Sequence, residues 1–433
     1  MTHCRSGFSR DSSFPRNEEI AAEAAPTVPH AILALSFDGK RSMRVTRRSS
    51  IAAVAVLLAL ATAAERSALA TEPDAPALRF DRAVAAAAAM PRLHSLLVSH
   101  RGELVFERYF NGRGRDDIAN VKSVSKSIVS ALVGIAIERG HIPGPDTPIA
   151  EYFPSIATEP GKAGITIAHL LSMQSGLETT SNRNYGAWVQ SADWVAFALR
   201  QPLMTPPGTR MQYSTGNTHL LSAILTEATG RSTLQFAREA LGEPLGFYLA
   251  AWPRDPKGIY FGGNDMELTP RQMLAFGELY LNGGRANERQ IVPPAWIEAS
   301  LTPRAESPRE EARYYGYGWW IRTMAGYEAP YAWGFGGQFI VLVPDLELVI
   351  VTTSSSNPDP DRRRHTRRIY DFVEYDVIAP SAATLAAGAA SVGAASAATT
   401  PVGAPSAAVF KESRLTPLLL KPRPPRASPP TGR

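Results

Sequence analysis

Apolar positions near the start of the patterned region fall into two short runs, His94–His100 and Glu103–Phe110, parted by Arg101-Gly102. Runs of this length on either side of a glycine-containing pair predict a β-hairpin. The pattern returns near the other end, where Phe339–Val343 and Leu346–Thr353 flank Pro344-Asp345 and are rich in β-branched residues. Between the hairpins the period changes. Ile128–Ile137, Ser191–Leu199, Thr218–Thr229 and Arg271–Asn282 place apolar residues at helical spacing, with Gly140 and Gly230 as stops. An alanine-rich stretch, Phe80–Met90, predicts a further helix. Strands at both ends enclosing helical phrases predict an α+β fold: an antiparallel sheet flanked by helices, an inserted all-helical lobe, and an active site between the two.

The Ile128–Ile137 helix is apolar nearly all round and is expected to be buried at the centre of the molecule. At its mouth stands Ser123-Val-Ser-Lys126. A lysine in the first turn of a buried helix is costly unless it is neutral or paired, so Lys126 needs a reason to be there. One helical turn brings the Ser123 hydroxyl against the Lys126 amine, which can take its proton. The helix N-terminus adds backbone N–H groups that favour an oxyanion. A capping serine is the ordinary alternative for Ser123.

Two more phrases extend the pattern. Tyr213 follows Pro206-Pro-Gly-Thr-Arg-Met-Gln and precedes Ser-Thr-Gly-Asn217, and Ala332-Trp-Gly-Phe-Gly-Gly-Gln338 leads into a predicted strand. With Ser123 and Lys126 these boxes make residues 78–380 resemble the serine β-lactamase and penicillin-binding-protein superfamily. The resemblance is to the class C-like branch of esterases, D-amino-acid peptidases and 6-aminohexanoate-dimer hydrolases. It implies a β-lactamase/transpeptidase-like fold and a serine hydrolase working through an acyl-enzyme on small esters or amides, without a cofactor. It also implies Ser123 as nucleophile, with Lys126 and Tyr213 sharing proton transfer; which of the two deprotonates Ser123 stays open. The backbone N–H groups of Ser123 and Phe335 become the expected oxyanion hole, and Asn217, Trp333, Gly334 and Tyr185 the expected substrate contacts. Trp188, Tyr315, Tyr317, Trp319 and Trp320 also crowd the matched boxes, Trp319 and Trp320 reading better as core.

The chain departs from the family pattern at two boxes. The usual Tyr-x-Asn is replaced by Tyr213-Ser-Thr-Gly-Asn217, which puts the Asn contact in doubt. The cation of the third box is replaced by Ala332-Trp333-Gly334, so a grip on a substrate carboxylate is missing there. The competing readings are a class C-like β-lactamase or D,D-carboxypeptidase, and a non-catalytic penicillin-binding-like protein.

Composition narrows the chemistry. Cys4 is the single cysteine among 433 residues, which excludes thiol catalysis and cysteine metal sites in the body of the chain. The histidines lack metal-ligand spacing, so no metal is expected. A net charge of +5, with scattered arginines, gives no nucleic-acid footprint. The one basic run, Arg362–Arg368, reads as the solvated face of a helix.

The ends differ from the middle. Arg44–Arg48, the apolar stretch Ile51–Ala64 and Ala68-Leu-Ala70 form a charged region, a hydrophobic region and a cleavage site. We therefore expect residues 43–70 to be an export signal cleaved after Ala70, residues 1–42 to be a non-native or disordered leader, and the product to be periplasmic or secreted, with no stable membrane span. The hydrolase domain is expected over 71–380 and a disordered alanine- and proline-rich tail over 381–433.

Overall fold

The computed structural model describes residues 77–398. Helix α1 (Asp81–Ala88) leads into a hairpin of β1 (Leu93–His100) and β2 (Glu103–Tyr109), then β3 (Ala119–Lys122) and α2 (Ser125–Glu138). The insert that follows holds short helices at Ile167–Leu171, Tyr185–Val189 and Trp194–Leu199, and the longer α3 (Thr215–Thr229). The chain returns through β4 (Met266–Leu268), α4 (Pro270–Leu281), the ribbon β5 (Arg285–Ala286) and β6 (Arg289–Gln290), and α5 (Pro294–Leu301). Strands β7 (Ala305–Glu306), β8 (Tyr314–Tyr315), β9 (Trp320–Met324), β10 (Tyr327–Gly334), β11 (Gln338–Val343) and β12 (Leu348–Ser354) precede α6 (Arg362–Asp371). A wider helical segment, Phe372–Ile378, then joins α6 to α7 (Ala379–Ala398).

Eight strands form one antiparallel sheet in the order β2, β1, β12, β11, β10, β9, β8, β7. The two hairpins, far apart in sequence, lie side by side in it, with Leu97 opposite Val351 and Val98 opposite Ile350. Side chains alternate between faces along each strand. Leu97, Ile340, Leu342, Val349 and Val351 join the core built with α2 and α4. Leu96, Val98, Phe339, Val341, Leu348 and Ile350 join a second core with α1, α6 and the segment after α6. With both faces covered, β11 and β12 are buried throughout, which is why they read as unbroken apolar runs rather than alternating ones.

Strands β3 and β4 pair with each other, Ala119 opposite Leu268, so the helical insert leaves and re-enters the body at adjacent strands. Ser125 ties this neck, its Oγ donating to the Lys122 carbonyl at 2.6 Å and accepting from the Met266 N–H at 3.2 Å. The basic run is the exposed face of α6, with His365 and Ile369 on the buried side.

The leader expected at 1–42, the export signal expected at 43–70 and residues 399–433 of the expected tail lie outside the described residues. Helix α7 spans the position of the domain boundary expected at 380. Alanine has the highest helix propensity, and Ser381 is buried with its Oγ bonded to the Val377 carbonyl at 2.8 Å, so the helix runs on from the body. Among the described residues no helix is long and apolar enough to cross a membrane.

Candidate active site

The main chain enters the site through a strained turn. Strand β3 ends on Lys122, whose φ of +52° lies in the left-handed region that non-glycine residues rarely adopt. Asn120 and Asp265 hold it there. The Asn120 Oδ1 accepts the Lys122 N–H at 3.0 Å, while Lys122 Nζ and Asn120 Nδ2 reach Asp265 Oδ1 at 2.7 and 2.9 Å. The turn places Ser123 ahead of α2 without making it the cap. Val124 occupies the cap position and no side chain caps the helix, so the capping alternative for Ser123 does not describe this site.

Lys126, in the first turn of α2, is 1% exposed. Its Nζ lies 3.2 Å from Ser123 Oγ, 3.3 Å from Thr215 Oγ1 and 2.5 Å from the Gly263 carbonyl. It also sits 5.1 Å from the centre of the Tyr213 ring. Burial pulls the amine down to about 7 from its ordinary value, with the Asp265 carboxylate pulling the other way. Half of such amines are neutral near pH 7, and a neutral amine is the form that can accept a proton.

Tyr213 precedes α3, held by its own carbonyl, which accepts from Thr179 Oγ1 at 2.6 Å. Its ring stacks on Trp320 at 5.5 Å and meets Tyr315 edge-on at 6.0 Å. Burial pushes the phenol well above its usual range, although a hydrogen bond with Ser123 and the charge of Arg313 work against that rise. The phenol is therefore protonated where the Lys126 amine is losing its proton.

These groups open onto a cavity of about 1290 Å³ lined by Ser123, Tyr185, Tyr213, Thr215, Trp333 and Phe335, among others. A smaller cavity, about 170 Å³ beside His94 and Asn120, contains none of them. Tyr185 faces Asn264, whose Nδ2 donates to its hydroxyl at 3.4 Å. Among the described residues, the main-chain N–H groups of Ser123 and Phe335 donate to no other main-chain group.

Two expected contacts lie off the cavity wall. Asn217 is 2% exposed inside α3, accepts from Ser175 Oγ at 3.0 Å and does not line the cavity. Thr215, two residues after Tyr213, takes the position facing Lys126 instead. Gly334 does not line the cavity either; a Cβ there would stand 2.2 Å from the Val121 carbonyl, so the glycine serves the close approach of β10 to β3. Among the aromatics, Trp188, Tyr315, Tyr317 and Trp319 are core residues. Trp320 is not core alone, because it stacks on Tyr213 and lines the cavity.

Sequence reasoning missed Thr215, Gly263 and Ser181. The Ser181 Oγ lies 2.7 Å from Thr215 Oγ1 and accepts the Thr215 N–H at 2.7 Å. A Tyr-x-Thr spacing was there to be read for Thr215. The Gly263 carbonyl carries no side-chain signal, although the tandem Gly262-Gly263 marks a place where main chain presses close. Among the described residues, no group of three or more histidine, cysteine, aspartate or glutamate side chains is placed to hold a metal ion.

Comparison with known proteins fits this geometry. A family model described as Beta-lactamase matches residues 80–374. The 6-aminohexanoate-dimer hydrolase of Paenarthrobacter ureafaciens is 28% identical over 331 residues, which cover 67% of this chain and 81% of that protein. A D-stereospecific amidohydrolase from Streptomyces shares the fold with a TM-score of 0.53 at 18% identity, covering 70% of this chain and 99% of the other. EstCE1, a hydrolase with promiscuous acyltransferase activity, superposes with a TM-score of 0.56 at 18% identity, over 68% of this chain and 97% of its own.

Proposed function

This chain belongs to the beta-lactamase family and is a hydrolytic enzyme, and from that premise we propose that it cleaves small esters or amides through an acyl-enzyme on Ser123. The observation that carries the proposal is the buried Lys126 amine, 3.2 Å from the Ser123 hydroxyl and pulled down to about 7. A neutral amine has two N–H bonds and one lone pair. With the N–H bonds given to the Gly263 carbonyl and to Thr215 Oγ1, the lone pair is left for the Ser123 proton. This favours Lys126 over Tyr213 as the acylation base, since an anionic phenolate is strongly disfavoured at this site.

Attack of Ser123 Oγ on the carbonyl then gives a tetrahedral oxyanion facing the N–H groups of Ser123 and Phe335. Tyr213 gives its phenolic proton to the departing alcohol or amine and regains one from the Lys126 ammonium, so the acyl-enzyme forms with the proton count balanced. Water resolves it by the reverse proton path. Tyr185 and Trp333 supply the wall against which the substrate lies.

The resemblance to a 6-aminohexanoate-dimer hydrolase favours an amide or ester over a β-lactam. A fluorophosphonate probe with intact-mass analysis, followed by a panel of short-chain nitrophenyl esters, 6-aminohexanoate oligomers and nitrocefin, tests the reading. We expect labelling at Ser123 and ester or amide turnover that vanishes in Ser123→Ala. Labelling elsewhere overturns the assignment, and nitrocefin as the best substrate overturns the substrate class. Export through residues 43–70 belongs to the same proposal, and N-terminal sequencing of exported protein should begin at Thr71.

A further inference from the structure

The cation missing from the third box has counterparts elsewhere on the cleft wall. Six cationic side chains line the large cavity, Lys122, Arg210, Arg309, Arg313, Arg322 and Arg367, against only two carboxylates, Glu310 and Asp371. The whole chain carries a net charge of only +5, so this one wall concentrates an excess comparable with that of the entire protein.

Internal pairing leaves much of that charge unspent. Lys122 is matched by Asp265. Glu310 is shared by Arg313 at 2.9 Å and Arg322 at 3.2 Å, and Arg322 also stands 4.0 Å from Glu374. Among the described residues, the Arg309 guanidinium reaches only the neutral side-chain oxygen of Asn182, at 3.5 Å. Among the described residues, Arg210 and Arg367 are exposed and form no ion pair.

The wall is also fixed relative to the chemistry. Arg313 lies 3.9 Å over the Trp320 ring, which in turn stacks on Tyr213. Its side chain is 15% exposed, and its Nη2 donates to the Tyr370 hydroxyl at 3.3 Å. Arg210 stands three residues before Tyr213 on the same segment. A guanidinium clamped between a carboxylate and aromatic rings keeps its charge in place, and a low-dielectric cleft lined by one sign of charge concentrates ligands of the opposite sign.

We propose that this arginine wall makes the enzyme selective for esters or amides that carry a carboxylate, met by Arg210, Arg309 and Arg367, whose guanidiniums form no ion pair among the described residues. The proposal rests on the serine-hydrolase reading above and names the substrate class for that site. The anion is recognised by residues of the 210, 309–322 and 367 segments, not by the strand that holds Ala332-Trp333-Gly334.

Two ester pairs test it. Mono-4-nitrophenyl glutarate against 4-nitrophenyl pentanoate places the carboxylate on the acyl side, and 4-acetoxybenzoate against 4-acetoxybenzamide places it on the leaving-group side. Each rate is divided by that ester's hydroxide-catalysed rate. In low salt we expect kcat/KM to favour the anionic member of at least one pair by about tenfold or more, within the range electrostatic focusing supplies. In 1 M salt, where the screening length falls to about 3 Å, the preference should shrink severalfold. The double variant Arg210→Glu, Arg367→Glu should lose most of it while hydrolysing 4-nitrophenyl pentanoate at the parent rate, which also reports that the variant is folded. Equal treatment of both members of both pairs, or a preference unmoved by salt and by charge reversal, overturns the proposal. Either result leaves the acyl-enzyme reading standing, because that reading fails on a different observation, probe labelling at a residue other than Ser123.

Discussion

Gly263 presents its carbonyl oxygen to Lys126 Nζ at 2.5 Å, and a Cβ on the same residue would sit 3.0 Å from that nitrogen and 2.9 Å from Thr215 Cγ2. The main chain thus approaches the amine as closely as a residue without a side chain allows. Gly263→Ala forces either the carbonyl or the amine to shift. Displacements on the scale of 1 Å in a catalytic constellation cost on the order of 100-fold. We expect kcat to fall by about that factor with KM little changed and the circular dichroism spectrum retained. Parent-level kcat in this variant would show that the carbonyl does not position Lys126.

The pH dependence follows from the same amine. Below its value of about 7, Lys126 is protonated and cannot accept from Ser123, so kcat/KM for a neutral ester should rise with pH through about 7 and level off above. Tyr213 stays protonated over that range, so no second rise is expected before strongly alkaline pH. A profile that climbs only near pH 10 would move the base role to the phenol.

Stability changes with pH in a linked way. An unfolded lysine holds its proton up to about 10.4, whereas the folded one releases it near 7, so between those values the unfolded state binds more protons and stability rises with pH. The burial penalty is complete below pH 7 and gone above the unfolded value. Lys126→Met should be inactive yet more stable than the parent, with the gap in denaturant midpoint widest below pH 7 and closing toward pH 10. The slope across that window is at most about 1.4 kcal/mol per pH unit. A gap independent of pH would mean that Lys126 is not held neutral.

How much of this was legible beforehand depends on whether a contact has a side-chain signature. Ser123 and Lys126 were legible because their three-residue spacing becomes a single hydrogen-bonded turn leading into α2, and β11 and β12 because fully covered strands have unbroken apolar runs. Asn217 misled because helix α3 already starts at Thr215, and its rotation carries residue 217 into the lobe while residue 215 faces Lys126. Trp319 and Trp320 had to part company, since neighbours in extended chain point to opposite faces; Trp319 stacks on Phe276 and Trp320 on Tyr213. The arginine wall was not legible at all. Its members come from three separate segments and become neighbours only through the tertiary fold.

Thr215 stands between the base and the lobe. Its Oγ1 lies 3.3 Å from Lys126 Nζ and 2.7 Å from Ser181 Oγ, so the hydroxyl can accept from the amine while donating onward to Ser181. Thr215→Val keeps the shape, removes the acceptor and frees the amine to turn its N–H toward Ser123. Loss of one such hydrogen bond corresponds to about 1 kcal/mol, or roughly fivefold to tenfold. We expect kcat to drop by that factor and Thr215→Ser to restore most of it. If Thr215→Ser is as impaired as Thr215→Val, the methyl group matters and the hydroxyl does not.

A buried pair in the helical lobe holds Gly262, the residue before the Gly263 carbonyl. His219 Nε2 lies 3.1 Å from Asp255 Oδ2, both side chains being closed to solvent, while His219 Nδ1 accepts from the Gly262 N–H at 3.4 Å. The Asp255 Oδ1 also takes the N–H groups of Lys257 and Ile259 at 2.9 and 2.8 Å, so one carboxylate fixes both the loop and the ring that holds Gly262. Removing the carboxylate leaves the buried imidazole N–H without its acceptor, which costs about 1 to 3 kcal/mol, and the two loop N–H groups lose theirs as well. Asp255→Ala should therefore lower the denaturant midpoint sharply. In conditions where the variant is still folded, kcat should fall with KM nearly constant, since the loosened loop no longer delivers the Gly263 carbonyl to Lys126. A folded Asp255→Ala protein with unchanged kcat and pH profile would confine the pair to stability and break its link to the amine.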